Sequence, residues 1–130
     1  MADGDIPTQR GGHSAVAVES QLVVFGGHSY SGKGQFAYYN DVHVFDTITL
    51  SWSTPVDPPC DFTPRGNHIP KETTSPGVPT PRGAHSASLL DGRYLYIFGG
   101  YGGNGYARRD FNDIYVLDVE TWVWTKINAK

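Results

Sequence analysis

Five histidines and one cysteine are the residues of this chain best suited to metal or nucleophilic chemistry. A protein zinc site needs about four nitrogen or sulfur donors gathered by short local spacings. His28, His43 and His68 show neither helical spacing nor a clustered ligand pattern, and adding Cys60 does not complete one. His13 and His85 stand at equivalent places in two similar segments, so each has its own surroundings and reads as a structural hydrogen-bonding group. The glycine run at 99–105 imitates a phosphate loop. However, no Lys-Ser/Thr follows it, and its flanks read as strands rather than strand then helix. No serine sits on a nucleophile elbow, and no carboxylate pair is singled out. The sequence therefore names no catalytic residue, no metal ligand and no cofactor.

Recognition chemistry is better represented. Tyr30, Lys33, Gln35, Phe36, Tyr38 and Tyr39 crowd the segment 27–40, and Tyr101, Asn104, Tyr106, Arg108, Arg109 and Phe111 crowd 100–112. Tyrosine and arginine are enriched at binding hot spots, and glycine supplies an adaptable backbone around them. Tyr30, Lys33, Tyr101, Asn104, Tyr106, Arg108 and Arg109 are read as partner contacts. Tyr38, Tyr39 and Phe111 either join them or pack down over the scaffold.

The elements that carry these segments are repeated. Pro7-Thr8-Gln9-Arg10-Gly11-Gly12-His13-Ser14-Ala15 matches Pro79-Thr80-Pro81-Arg82-Gly83-Ala84-His85-Ser86-Ala87. Leu22-Val23-Val24-Phe25-Gly26-Gly27 matches Leu95-Tyr96-Ile97-Phe98-Gly99-Gly100, and Asn40-Asp41-Val42-His43-Val44-Phe45-Asp46 matches Asn112-Asp113-Ile114-Tyr115-Val116-Leu117-Asp118. Trp52 falls on Trp124, at an offset of 72 residues interrupted by one extra residue near Asp91-Gly92. Each copy reads as four short strands. The first is rich in Ser and Ala, as suits a crowded position near a central axis. The second is apolar and ends in Gly-Gly, where the backbone needs positive φ or close approach. The third is apolar and closed by Asp46 or Asp118, and the fourth carries the tryptophan. A four-stranded meander of this kind is one blade of a propeller.

Arg-x-x-His-Ser-Ala, an apolar strand ending in Gly-Gly, Asn-Asp-Val/Ile and a spaced Trp together resemble the kelch repeat. The resemblance implies an all-β fold, a kelch-type β-propeller with two four-stranded antiparallel blades. Five to seven blades usually close such a ring, so this pair closes one only with further blades or by oligomerisation. Blade 1 is read over 1–53, a long inter-blade loop over 54–78 and blade 2 over 79–130. Arg10, His13, Gly26, Gly27 and Trp52, with Arg82, His85, Gly99, Gly100 and Trp124, are the structural residues of the repeat. The tryptophans are expected to pack between blades, and Asp46 and Asp118 are candidate partners for the two arginines.

Thr63-Pro64-Arg65-Gly66-Asn67-His68-Ile69 imitates the start of a third copy. It begins only 17 residues before its twin, Pro70 follows it, and polar, Pro/Gly-rich residues come next. It reads as loop, so the chain holds two repeats. In an up-and-down blade the connection between strands two and three shares one face with the link to the next blade. The segments 27–40, 100–112 and 54–78 therefore emerge together, and long loops on a rigid scaffold commonly carry function.

Composition agrees with this reading. Charged residues make up 18% of the chain, and sixteen glycines with nine prolines imply many turns. A formal charge of −3 gives no general attraction to nucleic acid or anionic membrane, and Arg108-Arg109 is answered at once by Asp110. No apolar run is long enough for a membrane helix. The lone Cys60 and the absence of a secretory signal fit the reducing cytosol. The leading expectation is a non-catalytic protein–protein interaction scaffold, its partner unidentified. The alternative is architectural, with self-association closing the propeller; three two-blade chains would make six blades. A third class is a metal-assisted enzyme, since some kelch-like propellers carry oxidase chemistry. That chemistry needs convergent Tyr/His ligands and a Cys–Tyr link, and Cys60 lies in the inter-blade loop without a motif.

Overall fold

The computed structural model of the chain describes residues 3–32, 35–55, 60–62, 68–70, 77–104 and 107–128. Strands account for all the regular structure among them. Blade 1 comprises β1 (Asp3–Gly4), β2 (Ser14–Val18), β3 (Gln21–Gly32), β4 (Gln35–Asp46) and β5 (Ser51–Ser53). A separate small hairpin follows, β6 (Cys60–Phe62) with β7 (His68–Pro70). Blade 2 comprises β8 (Ser86–Leu90), β9 (Tyr94–Phe98), β12 (Ile114–Asp118) and β13 (Val123–Ile127), with the hairpin β10 (Tyr101–Asn104) and β11 (Ala107–Asp110) inserted. Each blade is an antiparallel meander, and blade 1 gains β1 as a parallel addition to β5.

The two sheets stack face to face, and the core is the space between them. Val23, Phe25, Val42 and Val44 of blade 1 meet Leu95, Ile97, Tyr115, Leu117 and Trp124 of blade 2. Strand alternation puts alternate residues on opposite faces of a sheet. Val23 and Phe25 therefore face blade 2, whereas their counterparts Tyr96 and Phe98 face away from blade 1. The innermost strands β2 and β8 lie side by side, where Ser and Ala allow close approach. Backbone bonds stitch the blades together: Gly27 N–H donates to Arg82 O (2.8 Å), Arg82 N–H to Tyr39 O (3.0 Å) and Ala84 N–H to Gly12 O (2.8 Å).

The repeat extends to backbone conformation. Gly26 and Gly27 have φ of +70° and +107°, and Gly99 and Gly100 have +68° and +92°. A Cβ on Gly27 would lie 2.7 Å from Gly11 O, and one on Gly100 would lie 2.7 Å from Gly83 O. Positive φ and a carbonyl in the way both exclude a side chain. Gly27→Ala is expected to destabilise the chain by about 2–3 kcal/mol, read from its urea midpoint. An unmoved midpoint would contradict this account of the double glycine.

Two features differ from the sequence expectation. The segments 27–40 and 100–112 are hairpins rather than loops, because strand pairing continues past the double glycine: Gly27 pairs with Tyr39, His28 with Tyr38 and Tyr30 with Phe36. In blade 2, Tyr101 pairs with Asp110 and Gly103 with Arg108. Secondly, the span 54–78 carries the hairpin β6–β7, whose strands of three residues each are too short to form a blade. Residues 63–67, in the imitation repeat, lie outside the described residues.

Candidate functional site

Two arginines set the geometry of the repeat. Arg82 is fully buried and lies over the ring of Phe111 (4.2 Å). Its guanidinium donates to both oxygens of Asp113 (2.5 and 3.1 Å), to Gly99 O (3.0 Å) and to Thr80 O and Oγ1 (3.1 Å each). Arg10 repeats the pattern with Asp41 (2.5 and 3.1 Å), Gly26 O and Thr8, lying 4.0 Å from the Tyr39 ring. The arginine partners are thus Asp41 and Asp113 of the Asn-Asp pair, not Asp46 and Asp118. Asp46 instead accepts the N–H groups of Ile48 and Thr49, and Asp118 those of Glu120 and Thr121. Each closes its own turn as an Asx motif. Asp118 also takes a two-pronged bond from Arg93.

Electrostatics follow this layout. Burial pushes the Asp41 carboxyl up, but bonds from His43 and Arg10 outweigh it and bring it to about 2. Asp113 is lowered in the same way: burial opposes the Arg82 bond and the bond wins. His43 completes the blade 1 network, with Nε2 3.0 Å from Asp41 and Nδ1 2.8 Å from Asp5 O.

His85 lies between the blades, its Nε2 2.8 Å from Ser14 Oγ and its ring edge-on to Phe25 at 5.0 Å. Burial first, then the charge of Arg82, lowers its imidazole to about 4 from the ordinary 6.5. The folded chain therefore binds fewer protons than the unfolded chain in that window. The stability contribution of His85 is complete above pH 6.5 and is lost as pH falls through 4. The loss is expected to reach up to about 3 kcal/mol. Urea unfolding at stepped pH checks it: the wild type should weaken across this window, and His85→Asn should show a flatter profile. Equal slopes would remove His85 as the cause.

Above the double glycines the two hairpins form one surface. His28 stands at its centre, stacked on Tyr101 of the other blade (6.0 Å, 29° between planes) and edge-on to Tyr38 (6.0 Å) and Phe36 (5.7 Å). Tyr38 also meets Tyr101 edge-on at 6.0 Å, and Tyr30 packs on Phe36 at 5.1 Å. Arg108 lies 4.0 Å from the Tyr101 ring and bonds Asp110 at 3.0 Å. Tyr30 is 62% exposed and Phe36 41%. Five aromatic rings and a cation thus span two blades.

Of the residues read as partner contacts, the structure brings Tyr30, Tyr101 and Arg108 into this surface. Arg109 is exposed on β11, paired with Gly102, and Asn104 lies in β10. Lys33 and Tyr106 lie outside the described residues. His28, Phe36 and Tyr38 belong to the surface as well. Their spacing held the signal: His28 and Tyr30, then Phe36 and Tyr38, alternate as neighbours on one face of a hairpin. Tyr39 and Phe111 pack down over the arginines. Trp124 packs between blades, 5.1 Å from Phe25, whereas Trp52 rests on Phe45 (5.0 Å) within its own sheet. His13, the counterpart of His85, is exposed. The opposite end of the blades also bears exposed apolar side chains, Ile48, Leu50 and Leu90, around its tight turns.

Among the described residues no group of three or more His, Cys, Asp or Glu is placed to hold a metal ion. No helix among them is long and apolar enough to cross a membrane.

Comparison with known proteins places this geometry. The kelch motif matches residues 9–59 and 82–129. Kelch domain-containing protein 1 of Mus musculus is 31% identical over 95% of this chain and 29% of its own length. Acyl-CoA-binding domain-containing protein 5 of Arabidopsis thaliana is 33% identical over 95% of this chain and 15% of its own. Host cell factor 1 of Homo sapiens is 32% identical over 98% of this chain and 5% of its own. The chain thus spans under a third of the length of these relatives. A solved structure titled "Structure of YjhT" superposes with a TM-score of 0.61 at 17% identity, covering 93% of this chain and 38% of that one. That likeness concerns the fold.

Proposed function

The chain belongs to the kelch motif family, and on that premise we propose that it is a non-catalytic protein–protein interaction scaffold whose hairpin face binds a partner protein. Kelch repeats and the relatives above support the general role. The observation that carries the finer one is the aromatic surface joining β3–β4 to β10–β11. It places exposed Tyr30 and Phe36, with Tyr101 under Arg108, on a frame fixed by buried arginines. Rigid aromatic anchors beside a cation are the residue types that dominate interface energetics. The lone Cys60 supports a cytosolic setting for this role.

Affinity enrichment with quantitative mass spectrometry tests the proposal. Proteins retained by the wild type should fall at least about tenfold with a Tyr30→Ala/Tyr101→Ala/Arg108→Ala variant, as loss of hot-spot contacts requires. A variant altered at Ile48 and Leu50 should retain them. Equal retention by both, or loss only with the second, would overturn the assignment of the hairpin face.

Self-association is the second reading. It is supported by the apolar side chains that each blade turns away from the other, such as Phe98.

A further inference from the structure

The hairpin face is assembled from two blades, and one side chain joins its halves. His28 and Tyr101 hold equivalent places, each directly after a double glycine. Each is tied by two backbone bonds to the glycine that follows the arginine of its own blade. Gly11 N–H donates to His28 O and His28 N–H to Gly11 O (2.8 Å each). In blade 2, Gly83 N–H donates to Tyr101 O (2.8 Å) and Tyr101 N–H to Gly83 O (2.9 Å). The backbone therefore anchors each hairpin to its own blade.

The side chains break this symmetry. The imidazole of His28 reaches over to blade 2 and lies in a slot between Gly12 and Gly83. A Cβ on Gly83 would stand 2.5 Å from His28 Cδ2, and one on Gly12 would stand 2.8 Å from Nε2. Neither wall can carry a side chain while the ring is in place. Ala84 N–H donates to Gly12 O (2.8 Å) and so holds the two walls together. From this slot the ring stacks on Tyr101 and meets Tyr38 and Phe36 edge-on. Tyr101 in turn holds the Arg108 guanidinium 4.0 Å from its ring, and Phe36 holds Tyr30. His28 thus contacts the recognition residues of both blades, and the glycine walls exist at the spacing its ring requires.

We infer that His28 is the positioning residue of the recognition surface: seated between Gly12 and Gly83, it fixes Tyr101 and Arg108 against Tyr30, Phe36 and Tyr38, so that one partner engages both hairpins as a single site. This rests on the hairpin-face reading and adds the residue on which the shape of that face depends. A pre-formed surface binds more tightly than two halves that move independently, because less ordering is left for the encounter. Gly83 allows the claim to be isolated. It is buried, so a partner does not touch it. Its backbone lies outside the left-handed region, so alanine is conformationally acceptable there. Apart from the His28 ring, the nearest atom to an added Cβ is Gly27 C at 3.4 Å, an ordinary contact. Gly83→Ala therefore acts on the surface by displacing the imidazole.

Nuclear Overhauser spectra of the protein alone test the positioning without a partner. The cross-blade contact between the Tyr38 and Tyr101 rings should vanish in His28→Ala and in Gly83→Ala, while the contact between Tyr30 and Phe36 persists. Calorimetry then reads binding, with the protein most depleted by the Tyr30→Ala/Tyr101→Ala/Arg108→Ala variant as the probe. Each single variant should weaken its Kd about tenfold, with a cooperative melt showing that the variant is folded. Should His28→Ala not fold, His28→Asn replaces it. In the His28→Ala background Gly83→Ala should cost nothing further, because the ring it displaces is gone. A cross-blade contact that survives both substitutions, or losses that add in the double variant, would overturn the inference. Binding unchanged in both single variants but lost with the triple variant would overturn it and leave the hairpin face standing. A triple variant that depletes no protein would overturn the hairpin-face reading and the single site with it, while the ring contacts still decide whether His28 couples the hairpins.

Discussion

Trp124→Ala is expected to lower the unfolding free energy by about 3–5 kcal/mol, the range for emptying a buried indole site. Trp124 is only 6% exposed and belongs to the cluster that joins Phe25, Val23 and Val44 of blade 1 to Leu95 and Ile97 of blade 2. Removing it leaves a cavity between the sheets rather than at the margin of one. The indole N–H finds no acceptor among the described residues, so Trp124→Phe, which keeps most of the ring packing, is expected to cost much less. Trp52→Ala in the monomer should cost about 1–2 kcal/mol, because that indole is only partly buried. Urea unfolding of the three variants ranks them. Equal losses at positions 52 and 124 in a monomeric sample would contradict the asymmetry between inner and outer blade faces.

Arg82→Ala should be comparably damaging, again about 3–5 kcal/mol, for a different reason. The guanidinium is fully buried and serves the Asp113 carboxylate, two backbone carbonyls and a hydroxyl at once. Deleting it strands these acceptors in a site with little water. Arg82→Lys is not expected to rescue stability, since a single ammonium lacks the planar fork that reaches both Asp113 oxygens. Substituting Asp113→Leu together with Arg82→Met should recover part of the loss, because no buried charge is then left alone. A double variant as unstable as Arg82→Ala would show that the carbonyl contacts, not the ion pair, dominate. Losses below about 1 kcal/mol for Arg82→Ala would place this network among ordinary surface pairs.

The repeat and its strands were legible because they rest on local composition: apolar runs, Gly-Gly stops and a spaced tryptophan. The structural consequence of the double glycine was legible for the same reason, since few other residues tolerate those φ values. Partnership was not. Arg10 and Arg82 find their carboxylates 31 residues away, across the sheet, while Asp46 and Asp118 spend their oxygens on their own turns. The sequence offers both pairs of aspartates at repeated positions, and only the fold chooses between them. The hairpins were hidden for another reason. Glycine and polar residues at 27–40 and 100–112 look like loop by composition, yet pairing already set by β3–β4 and by the sheet of blade 2 carries on through them. His28 drew attention only as a metal candidate; its position between Tyr38 and Tyr101 depends on the approach of two blades. The differences between His13 and His85, and between Trp52 and Trp124, likewise depend on which blade faces are covered.

A division of labour follows from these particulars. Repeated residues hold the frame, and under the proposed function the non-repeated aromatic and basic residues of the hairpins are the ones that contact a partner. The most direct measurement takes a partner obtained by enrichment and determines its Kd by calorimetry for the wild type, Tyr30→Ala, Tyr101→Ala and Arg108→Ala, alongside each protein's unfolding midpoint. The account predicts at least one hairpin variant with binding weakened about tenfold or more and a midpoint unchanged. Binding unchanged in all three, with loss instead on altering Ile48 and Leu50 at the opposite end, would contradict it.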